Sequence, residues 1–153
     1  MECKHLLKQD KYKDAIIECL RFLVHEKRIT LNGFVIMSNH VHLIWQPLGE
    51  FTPDSIQHSL MPFTARKFKN DFEQNHSQVL SHFKVEAKDR IYQFWERNSL
   101  GIDLFTETVF MQKLDYLHWN PFRAGLCQLP EDYYYSSAKF YEQGVDDFEM
   151  LTH

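Results

Sequence analysis

The chain has 153 residues, 44% of them apolar and 25% charged, the make-up of one soluble globular domain over 1–153. A chain of this length buries roughly 68–70% of its unfolded surface, so it needs no disulfide or structural metal to fold. No apolar run approaches the roughly 20 residues of a membrane span, and the polar, mixed-charge start MECKHLLKQDKYKD is no secretory signal, which predicts a cytoplasmic protein with no membrane partner. Cys3, Cys19 and Cys127 are odd in number and lack CxxC spacing, in keeping with reduced thiols. The net charge of −4 argues against a nucleic-acid partner until its position is considered. From Glu131 onward six acids face one base, Lys139, so the C-terminal tail is acidic and residues 1–130 stand at +1.

In chain order, residues 12–26 place Ala15, Ile16, Cys19, Leu20, Leu23 and Val24 at spacings of three and four, an amphipathic helix. Residues 31–45 are rich in β-branched and aromatic side chains and read as one strand or as two short strands meeting nearby. The segment QPLGEFTP is a turn region. Residues 55–75 read as a helix kinked or broken at Pro62, because proline lacks the donor and crowds the preceding turn. Residues 78–85 and 91–95 are short apolar stretches without a decisive period. A helix is predicted over 106–120, with a threonine cap, Glu107 in the first turn, and an end at Asn120 before Pro121. Ser136 or Ser137 is placed to cap a last short helix closed by Gly144.

Two constellations carry chemistry. His40 and His42 alternate with Val41 in VIMSNHVHLIW, so on a strand both imidazoles project from one face with Ser38 and Ile44, while Val41, Leu43 and Trp45 face a core. Such a pair can hold one divalent ion; the same spacing also occurs in unrelated metal sites and in half-exposed strands. In FMQKLDYLHWNPFRAGL, Gln112, Tyr116 and Asn120 recur every four residues and share one helix face. A phenol one turn from a carboxamide would set a nucleophile beside an oxygen ligand. The ordinary reading is a half-buried tyrosine and a helix-end asparagine.

The stretches GFVIMSNHVHLIWQP, YQFWERN and KLDYLHWNPFRAGLCQLPEDYYYSSAKFY, in that order, resemble the single-tyrosine HUH transposases, most closely the REP-associated tyrosine transposase-like branch. The resemblance implies an α+β, ferredoxin-like domain. Its central antiparallel sheet carries the His-x-His strand, helices pack on one face, and the first strand is missing, since only Met1 to His5 precede Leu6. It implies metal ligation by His40, His42 and Asn120, with Mg²⁺ or Mn²⁺, and a nucleophilic Tyr116 that forms a 5′-phosphotyrosine. The implied substrate is hairpin-flanked single-stranded DNA. The bare sheet edge suggests a homodimer.

For strand binding, Arg66, Lys67 and Lys69 are interleaved with Phe63 and Phe68, and Arg97 follows Arg90, Tyr92, Phe94 and Trp95. On charge alone a solvated helix face is the ordinary reading of the cations, and core packing is the ordinary reading of each aromatic. Arg123 either contacts phosphate or caps its helix. His118, two residues after Tyr116, faces nearly the opposite way and is a poor candidate base. Two rivals share these residues: an inactive or domesticated relative that binds structured DNA without cutting it, and a metal phosphoesterase with a water nucleophile.

Overall fold

The computed structural model describes residues 1–90, 92–95 and 101–152. Helix α1 (Asp10–His25) turns its apolar stripe inward, burying Ile16, Cys19, Leu20 and Leu23. Strands β1 (Ile29–Ile36) and β2 (Val41–Pro47) form an antiparallel hairpin. The region read as one or two strands is therefore two. Pairing runs from Ile29 opposite Pro47 to Ile36 opposite Val41, with a register shift between Leu31 and Gly33. That shift leaves Asn32 as a bulge, the kind of local irregularity that re-aims neighbouring side chains.

Helix α2 (Pro53–Asn75) starts at a reciprocal cap between Thr52 and Ser55 and runs without a break through Pro62. The short α3 (Ser77–Leu80) follows. Helix α4 (Glu107–Arg123) opens at the expected Thr106 cap, whose hydroxyl accepts from the Val109 N–H at 3.2 Å. It does not stop at Asn120. Pro121 is inside the helix, and the end comes where Leu126 N–H reaches the Pro121 carbonyl and Gly125 N–H the Phe122 carbonyl. This is a left-handed closure that needs the φ of +74° at Gly125. Helix α5 (Ala138–Gln143) ends at Gly144 as expected, and of the two candidate serines it is Ser136 whose hydroxyl accepts from the Ala138 N–H. No helix among the described residues is long and apolar enough to cross a membrane.

The two faces of the hairpin are covered differently. Leu31, Phe34, Ile36 and Val41 join α1 and α2 in the main core, with Leu43 and Trp45 packed against it. In the same layer Phe68, Phe72, Phe83, Phe94 and Trp95 form a ring cluster, and the Trp95 indole donates to Thr64 Oγ1 at 2.9 Å. Phe68, Phe94 and Trp95 are thus core residues, and each such ring adds about 1.5–3 kcal/mol by leaving water. On the other face Val35, Met37 and Leu117 make a smaller cluster that seats α4, with Ile44 beside it. Gly33 permits this approach, since a Cβ there would stand 2.7 Å from Leu114 Cδ1.

Both edges of the hairpin carry further backbone partners. Tyr135 and Ser137 bond to β1 at Ile36 and Phe34, and Thr152 bonds at Leu31. At the edge expected to be bare, Cys3 N–H reaches the Asn39 carbonyl and Val41 N–H the Met1 carbonyl, each at 2.8 Å, so residues 1–3 line the His40 end as a stub of strand.

Candidate functional site

The alternation of β2 has the expected outcome. With Val41, Leu43 and Trp45 turned to the main core, the imidazoles of His40 and His42 stand on the α4 side. Their ring centroids are 4.8 Å apart and nearly perpendicular. His40 sits in the hairpin turn, which is closed by Met37 N–H on the His40 carbonyl at 2.8 Å. Its Nδ1 lies 2.7 Å from Asn39 Oδ1. A carbonyl only accepts, so Nδ1 carries the hydrogen and Nε2 keeps its lone pair. Burial lowers the pKa of His40, and burial together with the His40 charge lowers that of His42 to about 4. Both rings are therefore neutral at physiological pH, the state in which imidazole ligates a metal.

Helix α4 brings the second constellation to the same place. Asn120 Nδ2 is 3.3 Å from His40 Nε2, and the Tyr116 ring centroid is 6.2 Å from that of His42. Tyr116 is 57% exposed. The guanidinium of Arg123 lies over the Tyr116 ring, 4.6 Å from its centroid, and donates through Nη2 to the Tyr116 carbonyl. His40, His42, Tyr116, Asn120 and Arg123 thus form one patch where the hairpin turn meets the exposed face of α4.

Among the described residues no group of three or more His, Cys, Asp or Glu side chains is placed to hold a metal. The groups on this patch that could hold a divalent ion are the two imidazoles and the Asn120 carboxamide. A half-turn of the Asn120 amide puts its oxygen where the nitrogen now faces His40 Nε2.

The basic cluster is elsewhere. Arg66, Lys67 and Lys69 stand on α2, in the layer with α1; Lys67 pairs with Glu18 at 3.3 Å and Lys69 with Glu73 at 3.6 Å. Arg97 lies outside the described residues. His118 turns away from Tyr116 as its spacing requires: it is 8% exposed, its Nε2 is 2.8 Å from Ser137 Oγ, and burial lowers its pKa to about 4. Ser137 Oγ also accepts from the Phe34 N–H at 3.0 Å, so this contact ties α4 to β1.

Sequence reasoning missed three contributors. Asn39 orients His40 and Ser137 anchors α4, and neither has a local signature. The third is a groove of about 630 Å³ along β2, which His42 lines together with Phe110 and residues 101–105. Phe105 in that groove is 89% exposed, an aromatic with no folding role that its pattern could have revealed.

A family model described as IS200-like transposase matches residues 2–85, a stretch that holds both histidines and stops short of α4. No curated protein matches the chain. Among solved structures, that of a REP-associated tyrosine transposase bound to a REP hairpin matches with a TM-score of 0.51 at 19% identity, over 97% of this chain and 76% of that one. At that identity the likeness is one of fold, and it includes α4.

Proposed function

We propose, on the premise that this chain belongs to the IS200-like transposase family, that it cleaves and rejoins single-stranded DNA through Tyr116. The observation that carries this reading is convergence: a half-exposed tyrosine, two neutral imidazoles and a carboxamide meet on one patch, from β2 and its turn and from α4. The Tyr116 hydroxyl attacks the scissile phosphorus, forming a 5′-phosphotyrosine and breaking the bond to the 3′ oxygen. That oxygen leaves as a hydroxyl, and the phenolic proton balances it through solvent. The covalent link keeps the phosphodiester energy, so a 3′ hydroxyl can attack it in turn and reseal a strand without ATP.

Mg²⁺ or Mn²⁺ bound by His40, His42 and Asn120 would polarise the phosphate and stabilise charge in the transition state. Asn39 holds the His40 ring in the tautomer that leaves Nε2 available. The neutral state of both imidazoles means that no proton has to leave them before a ligand binds. The groove along β2 offers Phe105 and Phe110 as stacking surfaces for unpaired bases, which suits a single strand better than a duplex. The structural relative's hairpin complex supports a hairpin beside the cleavage point.

Labelled hairpin-flanked oligonucleotides with Mn²⁺, run on a denaturing gel, test the reading. A covalent adduct that disappears in Tyr116→Phe is the expected result. Cleavage that survives Tyr116→Phe means a water nucleophile, and binding without any cleavage means a domesticated DNA-binding protein; either outcome overturns the tyrosine mechanism.

A further inference from the structure

We propose that Arg123 is the positioning residue that sets the ring of Tyr116, an inference that rests on the reading of Tyr116 as nucleophile. A tyrosine on the solvent face of a helix has more than one staggered rotamer open to it, and only one can aim its hydroxyl at a given phosphate. The Tyr116 ring has the His42 ring near one side, 6.2 Å between centroids, and the Arg123 guanidinium at 4.6 Å. Arg123 follows Tyr116 by seven residues, two helical turns, and so shares its face. Long helical side chains lean back toward the N-terminus, which carries this guanidinium over the ring.

The guanidinium is tied to the residue it covers. Its Nη2 donates to the Tyr116 carbonyl, so one group grips the backbone and the ring of residue 116 together. Lys11, Lys13, Lys67 and Lys69 lie over aromatic rings and each also pairs with a carboxylate; Arg123, like Arg28 over Phe22 and Phe51, forms no ion pair among the described residues. Its charge is therefore directed at the tyrosine. A plain alternative is that Arg123 only complements the dipole at the C-terminus of α4. The two roles differ in what lysine can replace. An ammonium serves the dipole equally well but offers neither a flat stacking surface nor a fork of donors.

Two measurements on the full chain decide between them: single-turnover adduct formation with a hairpin-flanked oligonucleotide and Mn²⁺, and the ring dynamics of ¹³C-labelled tyrosine by NMR without DNA. Arg123→Lys is expected to bind the oligonucleotide within about twofold of wild type. Its adduct rate falls by about tenfold to a hundredfold, the size of effect that a misplaced reacting group produces. The Tyr116 ring signal, identified by its loss in Tyr116→Phe, becomes more mobile while the other six tyrosines stay as they were. A wild-type rate in Arg123→Lys, a loss confined to oligonucleotide affinity, or an unchanged ring signal in both Arg123→Lys and Arg123→Ala overturns the proposal. If the wild-type protein forms no adduct, the nucleophile reading fails on its own, and the ring measurement still decides whether Arg123 holds Tyr116 in place.

Discussion

The two faces of the β1–β2 hairpin are built for different ends. On one, α1 and α2 close over a continuous apolar core with a cluster of aromatic rings. On the other, α4 sets Leu117 against Val35 and Met37, uses the gap at Gly33 and the His118–Ser137 contact, and leaves Tyr116 in solvent. The first face supplies most of the apolar burial that holds the fold; the second spends little area and places side chains. Substitutions should accordingly separate into those that unfold the chain and those that leave a folded, inert protein.

The sharpest separation is expected at Tyr116. Tyr116→Phe should abolish adduct formation, by a factor on the order of 10³ or more, equivalent to about 4 kcal/mol of barrier. The side chain is 57% exposed and its hydroxyl has no hydrogen-bond partner among the described residues, so the urea midpoint should not move. Phe68→Ala reverses the pattern. Phe68 is fully buried against Tyr12, Phe94 and Trp95, and its truncation should cost about 3–5 kcal/mol in urea unfolding. An equal loss of stability in both variants would dissolve the distinction between the faces.

A pH titration probes the α4 face without touching Tyr116. Burial holds the His118 pKa at about 4, below its ordinary value near 6.5. Between those values the unfolded chain takes up a proton that the native one refuses, so this contribution is fully present above pH 6.5 and lost as pH falls toward 4. Going from pH 7 to pH 5 should remove about 2 kcal/mol of stability on this account. His118→Gln should flatten the curve by that amount; an unchanged slope would mean that His118 is protonated in place and does not anchor α4 as a neutral ring. Smaller still is Gly33→Ala. The added Cβ would meet Leu114 Cδ1 at 2.7 Å, and the cost should be about 1 kcal/mol because a leucine tip can yield. The displaced α4 should slow adduct formation by more than that loss of stability explains.

How legible each face was in the sequence follows the same division. Helix α1 was read to within two residues because a repeat of three and four is a local record of a buried stripe. The facing of β2 was legible for the same reason, with a period of two. The end of α4 was misread. Pro121 predicts a stop at Asn120, but Gly125 supplies a closure that uses the Pro121 carbonyl, and the helix runs on to Arg123. Pro62 likewise does not break α2. Residues 78–85 and 91–95 carry no period because Phe83 enters the core from a single 3₁₀ turn, Phe94 from irregular chain and Trp95 from an isolated bridge. The residue types of the site were visible, whereas its convergence was not. His40 and Asn120 are 80 positions apart, and neither the Asn39 contact nor the Ser137 anchor leaves a local trace.

The smallest expected effect concerns the basic cluster, and it bears on what holds DNA. Lys67 and Lys69 are paired with Glu18 and Glu73 on exposed surface, where such pairs contribute about 0–1 kcal/mol. They lie in the α1–α2 layer, while the groove that borders His42 is lined, among the described residues, by Phe105 and Phe110 and by no lysine or arginine. Each lysine changed to alanine should therefore leave stability within about 0.5 kcal/mol, and oligonucleotide affinity within about twofold at moderate salt. Phe105→Ala should weaken binding by about 1–3 kcal/mol, the cost of losing one stacked base. Affinity measured across a salt series separates the two sources. A steep salt slope that flattens in Lys67→Ala would move the DNA onto the α2 face. A shallow slope with a large Phe105→Ala loss keeps it along β2, beside the two histidines and Tyr116.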